Sequence, residues 1–127
     1  MILIDSHVLI WSMFNDEKIG SNSHRLLSDS SVDVYVSVVS LWELEIKHIN
    51  GLLAYSSEDF SKGVDDVGFQ ILDLKIDHIK EYKNIDLLHK DPFDRMLCSI
   101  ARSENTSLMT ADSKILNSDY KTLNCRA

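Results

Sequence analysis

Short apolar, β-branched runs alternate with helical patterns from one end of the chain to the other, and this alternation constrains the fold more than any other feature. Strand-like runs fall at Ile2 to Ile4, Val34 to Val39, Phe69 to Leu72 and Ser107 to Met109, with a weak terminal one near Thr122 to Leu123. They are as short and apolar as strands buried on both faces tend to be. Between them the sequence predicts helices opening near His7, near Ser21, at Ser40, near Ser57, near Ile76, at Asp91 and near Ser113. Such a chain folds as α/β, in three layers: a short, mainly parallel central sheet with helices on both faces. Residues 1–127 hold no repeat, low-complexity tract or linker, so a single domain is expected.

Several predicted helix starts carry a chemical signal. Ser40-Leu41-Trp42-Glu43 has the spacing of a capping box, and Asp91-Pro92-Phe93-Asp94 sets an N-cap acid before a proline at the first helical position. Gly51 stands where a glycine would close the Ser40 helix.

Four acids stand out against this layout. Asp5 follows the first strand, Asp112 follows the strand ending near Met109, and Glu43 and Asp94 each fall in the first turn of a predicted helix. Helices in an α/β sheet run antiparallel to the strands, so all four are expected at the sheet edge where parallel sheets bind ligands. Like charges crowded together oppose folding unless a cation offsets them. Mg²⁺, with Mn²⁺ as a substitute, suits an all-oxygen site and supports hydrolysis of a phosphodiester, with one or two ions. Neither cysteine nor histidine spacing suggests a zinc site.

Each acid also has a plainer role. Glu43 could serve only the capping box, with Lys47 as its i+4 partner; Asp94 could be a first-turn acid favoured by the helix dipole; Asp5 and Asp112 could be N-caps. Asp94 lies on the flank of the apolar stripe of Phe93, Met96, Leu97, Ile100 and Ala101, above Cys98 and Ala101, and is expected to point across the sheet edge. Asp91 reads as an N-cap and Glu45 as a pairing residue. His7, His48 and His89 suggest no ligand set. Trp11 and Trp42 read as core or interface anchors, and Lys47, Lys90, Arg95 and Lys114 as surface charges close enough to the edge to meet phosphates.

Charge and composition exclude some classes of function. With 20 acidic against 13 basic residues the formal charge is −7, which argues against sequence-blind coating of nucleic acid or anionic membrane. The apolar start is interrupted by Asp5, and no stretch nears the roughly 20 residues of a membrane span, so neither signal peptide nor membrane association is expected. Cys98 and Cys125 are too few for a disulfide scaffold, which favours a reducing, cytoplasmic setting. A receiver-like switch fits poorly, because that architecture wants an acidic pair after the first strand, and an aspartyl-phosphate phosphatase would want an acid where His7 stands.

The chain resembles PIN-domain ribonucleases, specifically the VapC-like toxins of bacterial toxin–antitoxin pairs. The likeness runs through Ile4-Asp5-Ser6-His7, Ser40-Leu41-Trp42-Glu43-Leu44-Glu45-Ile46-Lys47, His89-Lys90-Asp91-Pro92-Phe93-Asp94-Arg95-Met96-Leu97 and Leu108-Met109-Thr110-Ala111-Asp112. It implies a PIN-like fold in which Asp5, Glu43, Asp94 and Asp112 form an acidic Mg²⁺ pocket that cleaves RNA by metal-assisted attack of water, leaving the 2′-hydroxyl out of the chemistry. It further implies an antitoxin partner covering the acidic groove and a homodimer. Ser6 stands where threonine is usual and would keep an outer role in positioning water or phosphate; Asp91 would have at most an outer role. A competing reading keeps the fold but not the catalysis: an inactive PIN-like scaffold that binds RNA or protein. The region from Leu52 to Asp86 shows little motif and leaves the choice of RNA unread.

Overall fold

The structure is a computed structural model that describes residues 1–86 and 91–127. His89 and Lys90 therefore lie outside the described residues. The strands β1 (Ile2–Ile4), β2 (Val34–Ser37), β3 (Gln70–Leu72), β4 (Ser107–Thr110) and β5 (Thr122–Asn124) form one sheet in the order β3-β2-β1-β4-β5. Every pairing is parallel, with Ile4 beside Val36 on one side and Met109 on the other. The helices are α1 (Ser6–Phe14), α2 (Ser21–Ser28), α3 (Val38–Ile49), α4 (Ser57–Asp66), α5 (Ile76–Glu81), α6 (Pro92–Ser103) and α7 (Ser113–Leu116), with 3₁₀ turns at Asp16–Lys18 and Tyr82–Asn84.

The pleat of the central strands divides the core. Ile2 and Ile4 of β1, Val34 and Val36 of β2, and Met109 of β4 pack with Val8, Leu9, Leu41, Leu44, Phe60 and Val64 from α1, α3 and α4. Leu3 and Leu108 face the other way, onto Leu97, Ile100 and Ala101 of α6 and Ile115 of α7. This is the expected α/β/α sandwich, each face of the sheet being covered because strands apolar on both sides need two partners.

One predicted boundary is corrected. The helix expected to open at Ser40 opens at Val38, and its N-cap is Ser37, whose hydroxyl accepts the Val39 N–H at 3.0 Å. Both serines fit a cap by sequence; the fully buried Ser37 ends the strand instead because Val39 is drawn into the core on the α6 side. Glu43 is consequently in the second turn and is no capping-box residue. The other end behaves as expected: Gly51, at φ +76°, lets the Gly51 and Leu52 amides reach the carbonyls of His48 and Lys47 at 3.0 and 2.8 Å. A capping box does occur at Ser56 and Asp59, opening α4. Asp91 caps α6 as predicted, accepting from Phe93 and Asp94 at 2.9 and 3.4 Å, with Pro92 first in the helix.

Candidate functional site

The order of the strands puts β1 at the centre, with the chain leaving it toward β2 while β4 lies on its other flank. The crevice at the carboxyl ends of β1 and β4 is the kind of reversal at which parallel sheets bind ligands. Asp5 sits at that point. It is 4% exposed, it caps α1 by accepting the Val8 N–H on Oδ1 at 2.8 Å, and its Oδ2 accepts from the Thr110 hydroxyl at 2.5 Å. Thr110, at the end of β4, in turn accepts the Asp112 backbone N–H at 3.0 Å, so one hydroxyl ties the two strand ends together. Asp112 caps α7 through Oδ1, accepting from Lys114 and Ile115 at 2.9 and 3.1 Å. The capping roles of Asp5 and Asp112 are thus real, and each engages one carboxyl oxygen.

Glu43 approaches Asp5 from α3. It is 8% exposed, it accepts from the Ser6 hydroxyl at 2.7 Å, and Lys47 lies 3.6 Å from its second oxygen. Burial pushes the Asp5 carboxyl above its ordinary range; Thr110, Val8 and His7 pull it back, and the Glu43 charge pushes it up again. Asp94, half-buried in the first turn of α6, and Asp112 act together elsewhere. Burial, then Asp94, then Asp112 push the Cys98 thiol up to about 12. Glu43 thus acts on Asp5, Asp94 and Asp112 both act on Cys98, and Thr110 joins Asp5 to the backbone of Asp112. Among the described residues no three histidine, cysteine or acidic side chains gather closely enough to form a metal cluster outright.

The donors nevertheless suit a hard cation. They are carboxylates and hydroxyls with no competing thiolate, since Cys98 and Cys125, pushed up to about 12 and about 11, stay protonated at neutral pH. A buried carboxyl held against its tendency to take up a proton is one that a cation would relieve. Two carboxylates with waters are also the ordinary holding for Mg²⁺.

The remaining candidates are settled one by one. Glu45 accepts the Ser57 backbone N–H at 2.9 Å, a pairing role at the start of α4. His48 is bonded to the Leu53 carbonyl at 2.9 Å, and exposed His7 packs against Trp11 with ring centroids 6.1 Å apart. Arg95 is folded inward, its Nη2 3.3 Å from the Tyr82 carbonyl and its guanidinium over the Tyr82 ring, so it is no solvated surface charge. Lys114 is exposed. Trp11 is partly buried between Lys18 and Arg126, but Trp42 is 61% exposed and is not a core residue. Ser6 is committed to Glu43. Thr110 was legible only as a strand residue, although its place two residues before Asp112 is the signal that finds it. A cavity of about 540 Å³ opens elsewhere, among Asn84, Arg102, Asn105, Tyr120 and Lys121; among the described residues lining it there is none of the four acids.

The chain matches a family model described as PIN domain over residues 2–119. Among solved structures it is similar to VapBC2 from Rickettsia felis bound to a DNA fragment from its promoter, at 18% identity and TM-score 0.69, covering 98% of each chain. It is similar to FitAB bound to an IR36 DNA fragment at 19% identity and TM-score 0.72, covering 100% of this chain and 96% of the other. VapBC-1 from nontypeable Haemophilus influenzae aligns over 100% of both chains at 17% identity and TM-score 0.69. At such identities the likeness is one of fold. No curated protein sequence matches the chain.

Proposed function

The chain belongs to the PIN-domain family, and from that premise we propose that it is a divalent-metal-dependent endoribonuclease, the toxin of a toxin–antitoxin pair. The observation that carries this reading is Asp5: a buried carboxyl at the meeting of β1 and β4, held by Thr110 and Val8, with Glu43 close enough to raise its proton affinity. Among the described residues no helix is long and apolar enough to cross a membrane; the reading places the protein in the cytoplasm, where its RNA substrate would be.

In this reading Asp5, Glu43, Asp94 and Asp112 hold Mg²⁺, or Mn²⁺ in its place. A cation bound there supplies a lowered pKa for attacking water and a Lewis acid for the phosphoryl oxygen. The chain's own part is to hold the carboxylates still. Thr110 donates to Asp5, Ser6 donates to Glu43, and the two caps fix Asp5 and Asp112 to the starts of α1 and α7. Ionised carboxylates on both sides of the crevice keep the entering phosphate out unless positive charge accompanies it, which couples substrate binding to the ion. The similarity to VapBC and FitAB complexes supports a cognate antitoxin as partner, and the same reading takes the chain as a homodimer.

A binding-only scaffold that keeps the fold without the catalysis is the competing reading. One assay separates the two: cleavage of a mixed cellular RNA pool with Mg²⁺, with Mn²⁺ and with chelator, beside Asp94→Asn. Discrete fragments from the wild-type protein alone, dependent on metal, support the ribonuclease. Equal activity in both proteins, or none in any lane while RNA is still bound, sinks it.

A further inference from the structure

The crevice sits on an acidic chain of formal charge −7, and of the described cations expected beside it Lys47 is engaged with Glu43 and Arg95 with Tyr82, while Lys114 is exposed. Neutralising phosphates, the usual source of affinity for nucleic acid, is thus poorly served. A different source lies beside the acids. Trp42, 61% exposed, and Phe93 meet edge to face across the seam between α3 and α6, with ring centroids 5.2 Å apart and planes at 69°. Each immediately precedes one of the acids, Glu43 and Asp94. Neighbours on a helix point about 100° apart, so Glu43 turns inward while Trp42 stays outside, braced by the Phe93 ring.

We infer that Trp42, backed by Phe93, is a stacking platform for a base of single-stranded RNA next to the bond to be cut. The inference rests on the ribonuclease reading for its substrate class. An indole that is 61% exposed and held by one aromatic neighbour offers base stacking at little ordering cost. Such stacking accepts a base that a duplex would keep within its own stack, so the platform selects single strands. It also makes affinity less dependent on salt than phosphate contacts would.

Because the chain has two tryptophans, Trp11→Phe leaves Trp42 as the sole indole reporter. In a Trp11→Phe, Asp94→Asn protein with Mg²⁺, a short oligoribonucleotide is expected to quench the fluorescence. An abasic oligonucleotide of the same length is expected to leave it unchanged. In the otherwise wild-type protein, Trp42→Ala is expected to raise KM roughly ten-fold with little change in kcat, and Trp42→Phe to recover part of the loss. Melting temperature verifies that the exposed substitution leaves the fold intact. Equal quenching by the abasic strand overturns the platform. So does a fall in kcat with KM unchanged, which would make the pair a brace between α3 and α6. A change of oligomeric state with RNA affinity unchanged also overturns it, assigning the ring to a second copy of the chain. Should the wild-type protein cut no RNA, the ribonuclease reading fails separately, and the quenching titration still decides the platform.

Discussion

Two of the clusters of ionisable side chains among the described residues are built to opposite rules. Where α5 packs on α6, Glu104 Oε1 meets Lys75 Nζ at 3.1 Å and His78 Nε2 at 3.4 Å. The His78 ring, 1% exposed, accepts the Lys75 backbone N–H on Nδ1 at 3.1 Å, so its own proton belongs on Nε2, facing Glu104. Ser99 donates to the His78 carbonyl from the neighbouring helix. Hydrogen bonding from Lys75, chiefly, holds the Glu104 carboxyl below its usual range. At the crevice the reverse holds: burial and Glu43 leave Asp5 above its usual range in spite of the Thr110 and Val8 bonds. The first cluster supplies its own counter-charge and serves the fold. The second sets Glu43, itself 3.6 Å from Lys47, against the buried Asp5, and a perturbed acid in a crevice marks a candidate ligand-binding site.

The comparison breaks most visibly in activity. Asp5→Asn and Asp94→Asn are each expected to lower cleavage of RNA by on the order of a hundred-fold or more, by analogy with the loss of other preorganised electrostatic groups. Glu104→Gln should leave kcat and KM within about two-fold, since the α5–α6 cluster touches no part of the crevice. Purified proteins assayed side by side on one RNA decide it; a large loss in Glu104→Gln would erase the distinction.

Cation binding is the next test in size. Mg²⁺ or Mn²⁺ that binds only the folded protein, at ten times its dissociation constant, stabilises by about 1.4 kcal/mol, raising the melting temperature by roughly 5 °C for a domain of this size. The rise should be absent in Asp5→Asn and unchanged in Glu104→Gln. A wild-type protein whose melting temperature ignores millimolar metal would mean that the crevice needs no cation.

How far this contrast was readable from the sequence differs between its parts. Ile2-Leu3-Ile4 ended by Asp5 is a buried strand closed by an acid, and Asp91-Pro92 announces α6, because both signals are local. The start of α3 was not legible. Val38 and Val39 are β-branched and prolong the strand pattern, and only packing on the α6 side turns them into a helix. Nor were the hydroxyls that hold the acids, because the Ser6–Glu43 and Asp5–Thr110 bonds join residues 37 and 105 positions apart. Such separations are bridged by the sheet order, which no local pattern encodes. For Trp42 the sequence left core and interface open for the same reason, and only the neighbouring elements, which leave it 61% exposed, remove the first.

The stability of Asp5→Asn sharpens the contrast further, because here the sign and not the size is informative. The folded-state carboxyl is raised above an ordinary value near 3.8, so the folded chain holds its proton to higher pH than the unfolded chain does. Stability consequently falls as pH rises through that interval, and above it the ionised Asp5 is a constant penalty. Asparagine keeps an oxygen for the Val8 N–H and can donate to Thr110, whose oxygen has room for a second donor. In chelator at pH 7 the variant should therefore melt at or above the wild-type temperature, with the advantage gone below pH 3.8. A variant that melts lower at pH 7 would mean that Asp5 is held for the fold's sake.

Glu104→Gln should give the smallest effect and the opposite sign. Its folded-state pKa is lowered, so its contribution is present above the unfolded value near 4.5 and is lost as pH falls through the folded one. The Glu104 side chain is 23% exposed and that of Lys75 58%, so the ion pair is partly screened and about 1 kcal/mol or less is at stake. Melting temperature should drop slightly at pH 7, and the difference should shrink as pH falls through the lowered folded-state value and the carboxylate becomes protonated in both folded and unfolded chains. A variant more stable than wild type at pH 7 would place Glu104 with Asp5, as a charge the fold tolerates for another purpose. The two clusters would then no longer differ in kind.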